Sequence, residues 1–297
     1  MSIAGSPATL EAPGLVEGRT AGMLRRVWRD RNGRVGLLLT AALVLLGGLA
    51  AAGLAPHDPL AQNPPDQLTG PSGAYWLGTD QFGRDIATRT LVGIVTSLRV
   101  VIVAVGLAAS AGTLVGVAAG YFGGVADAVA GRVTDVLFAF PAILLALTVV
   151  AGLGRGWFDT AIAIAIVYFP IFVRVARGPT LSVRESEYVK AGRVLGFSPG
   201  RLLLRHVLPN VSAPVVVQVA LAMSWAVLTE SALSFLGLGT QPPDPSLGLM
   251  VADARNLLTI APWTLVVPAV AIVLVVIGFN LLGDGLRSAL DPRSGER

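Results

Sequence analysis

The residues able to do chemistry are few and scattered. His57 and His206 stand far apart with no acidic cluster beside either, and the chain has no Cys. A His-based metal centre, a thiolate site and a disulfide framework are therefore not expected. Lys190 is the only lysine, and it lies between Val189 and Ala191. A P-loop needs Gly-Lys-Ser/Thr so that the ammonium reaches the phosphates, so the chain hosts no P-loop of its own. Carboxylates within apolar stretches would mark an ion or proton path, and Asp135 and Glu230 are the two candidates. Both fall near the ends of such stretches, where interfacial hydration or capping accounts for them better. With no nucleophile, base or metal cluster, the chain reads as a non-enzyme with no catalytic residues, no bound metal and no cofactor of its own.

What must position these residues is set by composition. Of 297 residues, 54% are apolar and 13% charged, against about 25% charged in a soluble domain, and mean hydropathy is +0.71. The bilayer is the expected solvent. The formal charge of +4 then concerns membrane orientation rather than nucleic acid. Uncharged stretches cover 35–56, 100–126, 136–154, 160–173, 206–229 and 256–283. Crossing about 30 Å of hydrocarbon takes roughly 20 residues, so all but 160–173 are long enough. Positive-inside bias decides that case. Arg19, Arg25, Arg26, Arg29, Arg31 and Arg34 precede the first stretch and put the N-terminus in the cytoplasm. Only if 160–173 also crosses do Arg174, Arg177, Arg184, Lys190, Arg193, Arg201 and Arg205 fall on the same side. The expectation is an all-α membrane protein of six transmembrane helices with both termini cytoplasmic: a tail at 1–34 and a membrane domain at 35–297. Its first segment reads as a retained anchor, since 34 residues are long for the start of a signal peptide.

Gly112, Gly116 and Gly120 form a small-xxx-small stripe, serving either packing within one subunit or a dimer seam. The external segment 57–99 opens with Pro56, Asp58, Pro59, Asn63, Pro64 and Pro65, an irregular path. A helix is expected from Asp80 as N-cap, with Asp80, Arg84 and Asp85 as an ion-pair set that steadies it or faces a partner. A second external segment, 238–263, holds a Pro-rich turn and a short helix over 247–258. In the cytoplasmic loop 174–209, Pro179 stops the preceding helix, Ser182 is a cap, and Ser198, Pro199 and Gly200 break the chain again. A short charged helix is expected over 183–197.

Spacing in that loop carries a resemblance. Lys190-Ala191-Gly192, three residues, Gly196, nine residues and His206-Val207-Leu208-Pro209 resemble the cytoplasmic signature of binding-protein-dependent ABC importer permeases, which reads Glu-Ala-Ala, three residues, Gly, nine residues, Ile-x-Leu-Pro. Lys190 stands where the family has Glu, and Glu187, one turn earlier, is a substitute carboxylate. Trp76-Leu77-Gly78-Thr79-Asp80 with Gly83-Arg84-Asp85, Gly120-Tyr121-Phe122-Gly123-Gly124, and the run from Glu230 to Gly239 are together similar to the C-type permease subunit of dipeptide, oligopeptide and nickel importers.

The resemblance implies the type I ABC importer permease fold, in a bacterial inner membrane, forming half of a pathway for short peptides. It implies a B-type sister permease, two ATPase subunits that bind the ATP and Mg, and an extracytoplasmic peptide-binding protein. The coupling element would comprise Glu187, Lys190, Ala191, Gly192, Gly196, Leu208 and Pro209. The same architecture carrying nickel or another chelated solute is the alternative; a secondary transporter or channel would instead show internal repeats, broken helices or midplane charges.

Overall fold

A computed structural model describes residues 25–290. Among these the regular structure is helical, with mostly irregular segments over 55–85, 236–246 and 255–262 and one isolated bridge between Thr79 and Asp85. The helices are α1 (Arg31–Leu49), α2 (Ile86–Phe122), α3 (Gly124–Ala139), α4 (Ala142–Leu153), α5 (Trp157–Arg184), α6 (Glu187–Val194), α7 (Pro199–Leu202), α8 (Leu208–Phe235), α9 (Leu247–Ala254) and α10 (Trp263–Leu290). A π turn, Ala50–Leu54, prolongs α1, and another, Leu203–Val207, joins α7 to α8. Arg19, one of the basic residues that precede the first stretch, lies outside the described residues.

Five helical stretches are long and apolar enough to cross a membrane, and the pair α3 and α4, bent by 97°, makes a sixth if taken as one broken span. The break has a local cause. Phe140 is extended (φ −92°, ψ 138°) because the ring of Pro141 excludes the helical region for the residue before it. The stretch that looked short, 160–173, is the middle of the 28-residue α5. That helix runs through Pro170 and Pro179 and ends at Arg184, so Pro179 does not stop it and Ser182 is not a cap. Membrane helices tolerate proline where neighbours satisfy the freed backbone.

Helix α2 is central. Its Val100, Val101, Ala104, Val105 and Ala108 share one core with Ile164, Phe172, Ala222, Ala226 and Val275. The glycine stripe lies within this subunit, facing α5. A Cβ on Gly112 would sit 2.6 Å from the Phe172 Cβ, one on Gly116 2.3 Å from the Val173 carbonyl oxygen, and one on Gly120 2.9 Å from the Thr180 Cβ. These contacts are what small-residue packing in membranes provides.

The segment expected to be external over 57–99 is irregular only to Asp85, and 86–99 belongs to α2. The N-cap is Asp85, whose carboxylate accepts from the Thr88 N–H at 2.9 Å, rather than Asp80. Glu230 is also not at a hydrated end: it is fully buried in α8, and the Ser234 hydroxyl donates to it at 2.7 Å. Asp135 is exposed and paired with Arg174 at 2.8 Å.

Candidate functional site

The segment between α5 and α8 is a compact elbow. Helix α5 ends at Arg184, and Glu185 and Ser186 alone separate it from α6. Ser186, in extended conformation, is the N-cap residue. Helix α6 is shorter than the 183–197 expected because α5 takes up 183 and 184 and because a Schellman arrangement closes its end: the Gly196 N–H donates to Arg193 O and the Phe197 N–H to Gly192 O, both at 3.0 Å. This requires the positive φ of Gly196, +75°. Ser198 and Pro199 start the one-turn α7, and Pro209 lies in the first turn of α8, where its missing N–H costs nothing.

Two faces of α6 have opposite characters. Inward, Val189 and Gly192 are buried. Val189 joins Leu202, Val207 and Val211 in a second core cluster with Val117 and Tyr121 of α2 and Ala176 of α5. A Cβ on Gly192 would lie 2.7 Å from Leu202 Cδ2, so this glycine lets α6 settle on α7. Aromatic groups fill the rest: Phe197 and His206 stack at 6.4 Å, and Arg193 lies 4.9 Å over the Tyr121 ring. Outward, Glu187, Lys190 and Ala191 are exposed. Val194 and Leu195 protrude at 89% and 71% exposure, and Tyr188 is half-exposed.

Two carboxylates compensate part of the elbow's positive charge. Arg184 Nε donates to Glu185 at 3.0 Å and holds that carboxyl below its ordinary range. Lys190 Nζ lies 3.6 Å from Glu187 and 3.9 Å from Glu185. The structure thus brings Glu187, Lys190, Ala191, Gly192 and Gly196 onto one element, while Leu208 and Pro209 open α8. Asn210, one turn into α8, ties the two parts by donating to the Tyr188 hydroxyl at 3.3 Å and to His206 O at 2.6 Å. Sequence reasoning passed over Val194 and Leu195. Two adjacent apolar residues within a charged loop were the available signal.

Gly196→Ala isolates the cap. A Cβ there meets nothing within 4 Å, so the cost is backbone conformation alone, about 1 kcal/mol. The expected result is faster amide exchange confined to residues 192–198, with the melting of the whole chain little changed.

At the opposite end of the bundle, Asp80 and Arg84 of the expected ion-pair set pair with each other, whereas Asp85 caps α2 and lies 3.7 Å from His57 instead. Arg84 Nε donates to Asp80 at 2.7 Å, and Arg89, unnoticed in the sequence, is buried with its Nε 3.6 Å from the same carboxylate. Asp253 of α9 faces this cluster, and its burial pushes its carboxyl upward against the pull of Arg84 and Arg89.

The described residues form a membrane body of five or six candidate spans with a compact elbow between two of them, and the chain's relatives define its class, a transport-system permease. The chain belongs to the binding-protein-dependent transport system inner membrane components, whose family model matches residues 112–296. It is a multi-pass inner-membrane protein of that family, and its relatives are permease subunits. It is 45% identical over 269 residues to the dipeptide transport system permease protein DppC of Alkalihalophilus pseudofirmus, covering 91% of this chain and 88% of that protein. It is 43% identical over 274 residues to the glutathione transport system permease protein GsiD of Pectobacterium atrosepticum, covering 91% of each. With the probable D,D-dipeptide transport system permease protein DdpC of Escherichia coli K12 it shares 41% over 253 residues, 85% of each chain.

Proposed function

We propose that this chain is the transmembrane subunit of an ABC importer, forms half of the translocation pathway for short peptides, and is driven by separate ATPase subunits that seat on α6. Peptide cargo is supported by relatives whose names specify dipeptides and glutathione, itself a peptide. In this reading α6 and both termini are cytoplasmic, and residues 57–85 and 236–262 face the binding protein. A B-type permease completes the pathway, and ATP and Mg belong to the ATPase subunits.

The observation that carries the reading is the two-faced α6. Its inner face is locked to α2, α5 and α8, so a push on it reaches the spans without slack. Its outer end offers Val194 and Leu195, an apolar knob left exposed among the described residues, beside the partly paired charges of Glu187 and Lys190. A partner that covered both side chains would remove their apolar surface from water, which favours docking by about 1.5–3 kcal/mol for each one fully buried. Glu187 replaces the family carboxylate in this proposal by contacting the ATPase surface directly, with Lys190 beside it.

Val194→Glu combined with Leu195→Glu tests the assignment, because both side chains already point into open space and the fold has no use for them. The expected result in the reconstituted four-subunit complex is a normally inserted permease that binds its ATPase subunits roughly 30-fold more weakly and no longer takes up dipeptide. Unchanged ATPase retention and uptake would overturn it.

A further inference from the structure

Three arginines of α5 grip α3 and the corner that precedes it. Arg184 Nη1 donates to the Gly120 carbonyl in the last turn of α2 at 3.1 Å. Arg177 holds Asp127 with two bonds, Nη2 to Oδ2 at 2.7 Å and Nε to Oδ1. Arg174 Nη2 donates to Asp135 Oδ1 at 2.8 Å, and its guanidinium lies 4.2 Å over the Phe138 ring. The order falls along α5 as it rises through Gly120, Asp127 and Asp135, so the contacts form an antiparallel ladder. Phe138 is its top rung, two residues before the extended Phe140.

Beyond the break the contact changes character. Helix α4 packs on α5 and buries Ala146 and Val150. Apolar surfaces of that kind slide at little cost, whereas a guanidinium fork paired bidentately with a carboxylate fixes orientation as well as distance. Exposed ion pairs add little stability. Two ion pairs and one bond to a backbone carbonyl in series, on one face and in one direction, therefore serve geometry more than folding energy.

We propose that Arg174, Arg177 and Arg184 are positioning residues for transport. They make α3 move as one body with the lower half of α5, so that displacement applied at α6 is taken up as a change of angle at Phe140–Pro141. Only Glu185 and Ser186 lie between the ladder's first arginine and α6, so little slack intervenes. The broken span is then a moving wall, hinged where the ladder ends. The proposal rests on α6 being the element that receives the ATPase subunits.

The chain has no cysteine, so spin labels can be placed cleanly at Val129 on α3, Ile143 on α4, Ser182 on α5 and Ala191 on α6. In the assembled complex, ATP binding should leave the Val129–Ser182 distance unchanged and shift the Val129–Ile143 distance. Asp127→Asn with Asp135→Asn should broaden the first distribution and lower dipeptide taken up per ATP hydrolysed roughly tenfold, and the exchange Asp127→Arg with Arg177→Asp should recover most of it. An unchanged Val129–Ile143 distance, with the Ala191 label immobilised by the ATPase subunits, overturns the ladder alone. An Ala191 label that tumbles freely in the complex overturns the docking reading and, with it, the stroke that the ladder would transmit. The distances in the unsubstituted chain decide the case even where the asparagine variant fails to assemble.

Discussion

Gly116→Ala should destabilise the protein while Gly106→Ala, ten residues earlier on the same helix, should leave it unchanged or slightly firmer. Both are helical glycines of α2, and in each the exchange raises helix propensity by up to about 1 kcal/mol. Their surroundings differ. The new methyl at Gly106 meets nothing within 4 Å. At Gly116 it would stand 2.3 Å from the Val173 carbonyl oxygen and 3.0 Å from the Ala176 Cβ. A backbone carbonyl cannot rotate aside as a side chain can, so α2 and α5 must separate. Separation undoes the contacts of Gly112 and Gly120 as well, since all three face the same partner. Overpacking of this kind costs about 1–3 kcal/mol, and between membrane helices, where lipid competes on equal terms with apolar side chains, close packing is the main attraction available. Thermal melting of the purified chain, followed by loss of the monodisperse fraction, should therefore move in opposite directions for the two variants. Equal melting would remove the α2–α5 seam from its place as the fold's principal contact.

How far the sequence reveals this architecture depends on the kind of signal each element gives. Continuous apolar stretches place α1, α2, α8 and α10, because length and hydropathy are all a span requires. Charges mislead at α5. Arg174 and Arg177 look like loop residues when each charge is counted as an end of a span, yet Asp135 and Asp127 on α3 pair them and let the helix continue. That compensation is tertiary and has no trace in local pattern. The break at Phe140–Pro141 was legible in principle, since proline restricts the residue before it, but an uninterrupted apolar run hides it. Spacing located the elbow correctly. Its helix is short at both ends, because α5 runs on to Arg184 and because Gly196 supplies the left-handed residue that stops α6 at Val194, three positions before Phe197. Glu230 is the hardest case. A carboxylate near the end of an apolar run reads as hydrated, and only the packing of α9 over that end of α8, with Gly248 pressed against the Ser231 backbone, shows that it is sealed.

Asp80→Ala should open the segment between α1 and α2. The Asp80 carboxylate accepts from the Phe82 and Arg84 backbone N–H groups at 2.8 and 3.0 Å and from Arg84 Nε at 2.7 Å. Its backbone is held as well: Asp80 N–H donates to Arg84 O at 3.1 Å, and Leu68 and Gly83 donate to Asp80 O at 3.0 Å each. The turn therefore folds around one side chain. Removing it orphans two backbone donors and leaves Arg84 and Arg89 buried without the carboxylate they share. Arg89, 2% exposed, would keep the bond from Nη1 to Pro59 O at 2.7 Å and the more distant charge of Asp253. Breaking a buried ion pair from one side costs about 3–5 kcal/mol, which in a local opening equilibrium is roughly a 100-fold or greater rise in amide exchange. The rise should cover residues 63–85 and reach the start of α10, because Trp263 Nε1 donates to Thr79 O at 3.2 Å. Asp80→Asn keeps an oxygen for the two N–H groups but not the charge, so its exchange should fall between those of the parent and the alanine variant. Exchange measured by mass spectrometry on the three proteins in one detergent separates the two contributions. Protection in the alanine variant equal to that of the parent would show that the carboxylate is dispensable and that backbone hydrogen bonds alone hold the turn.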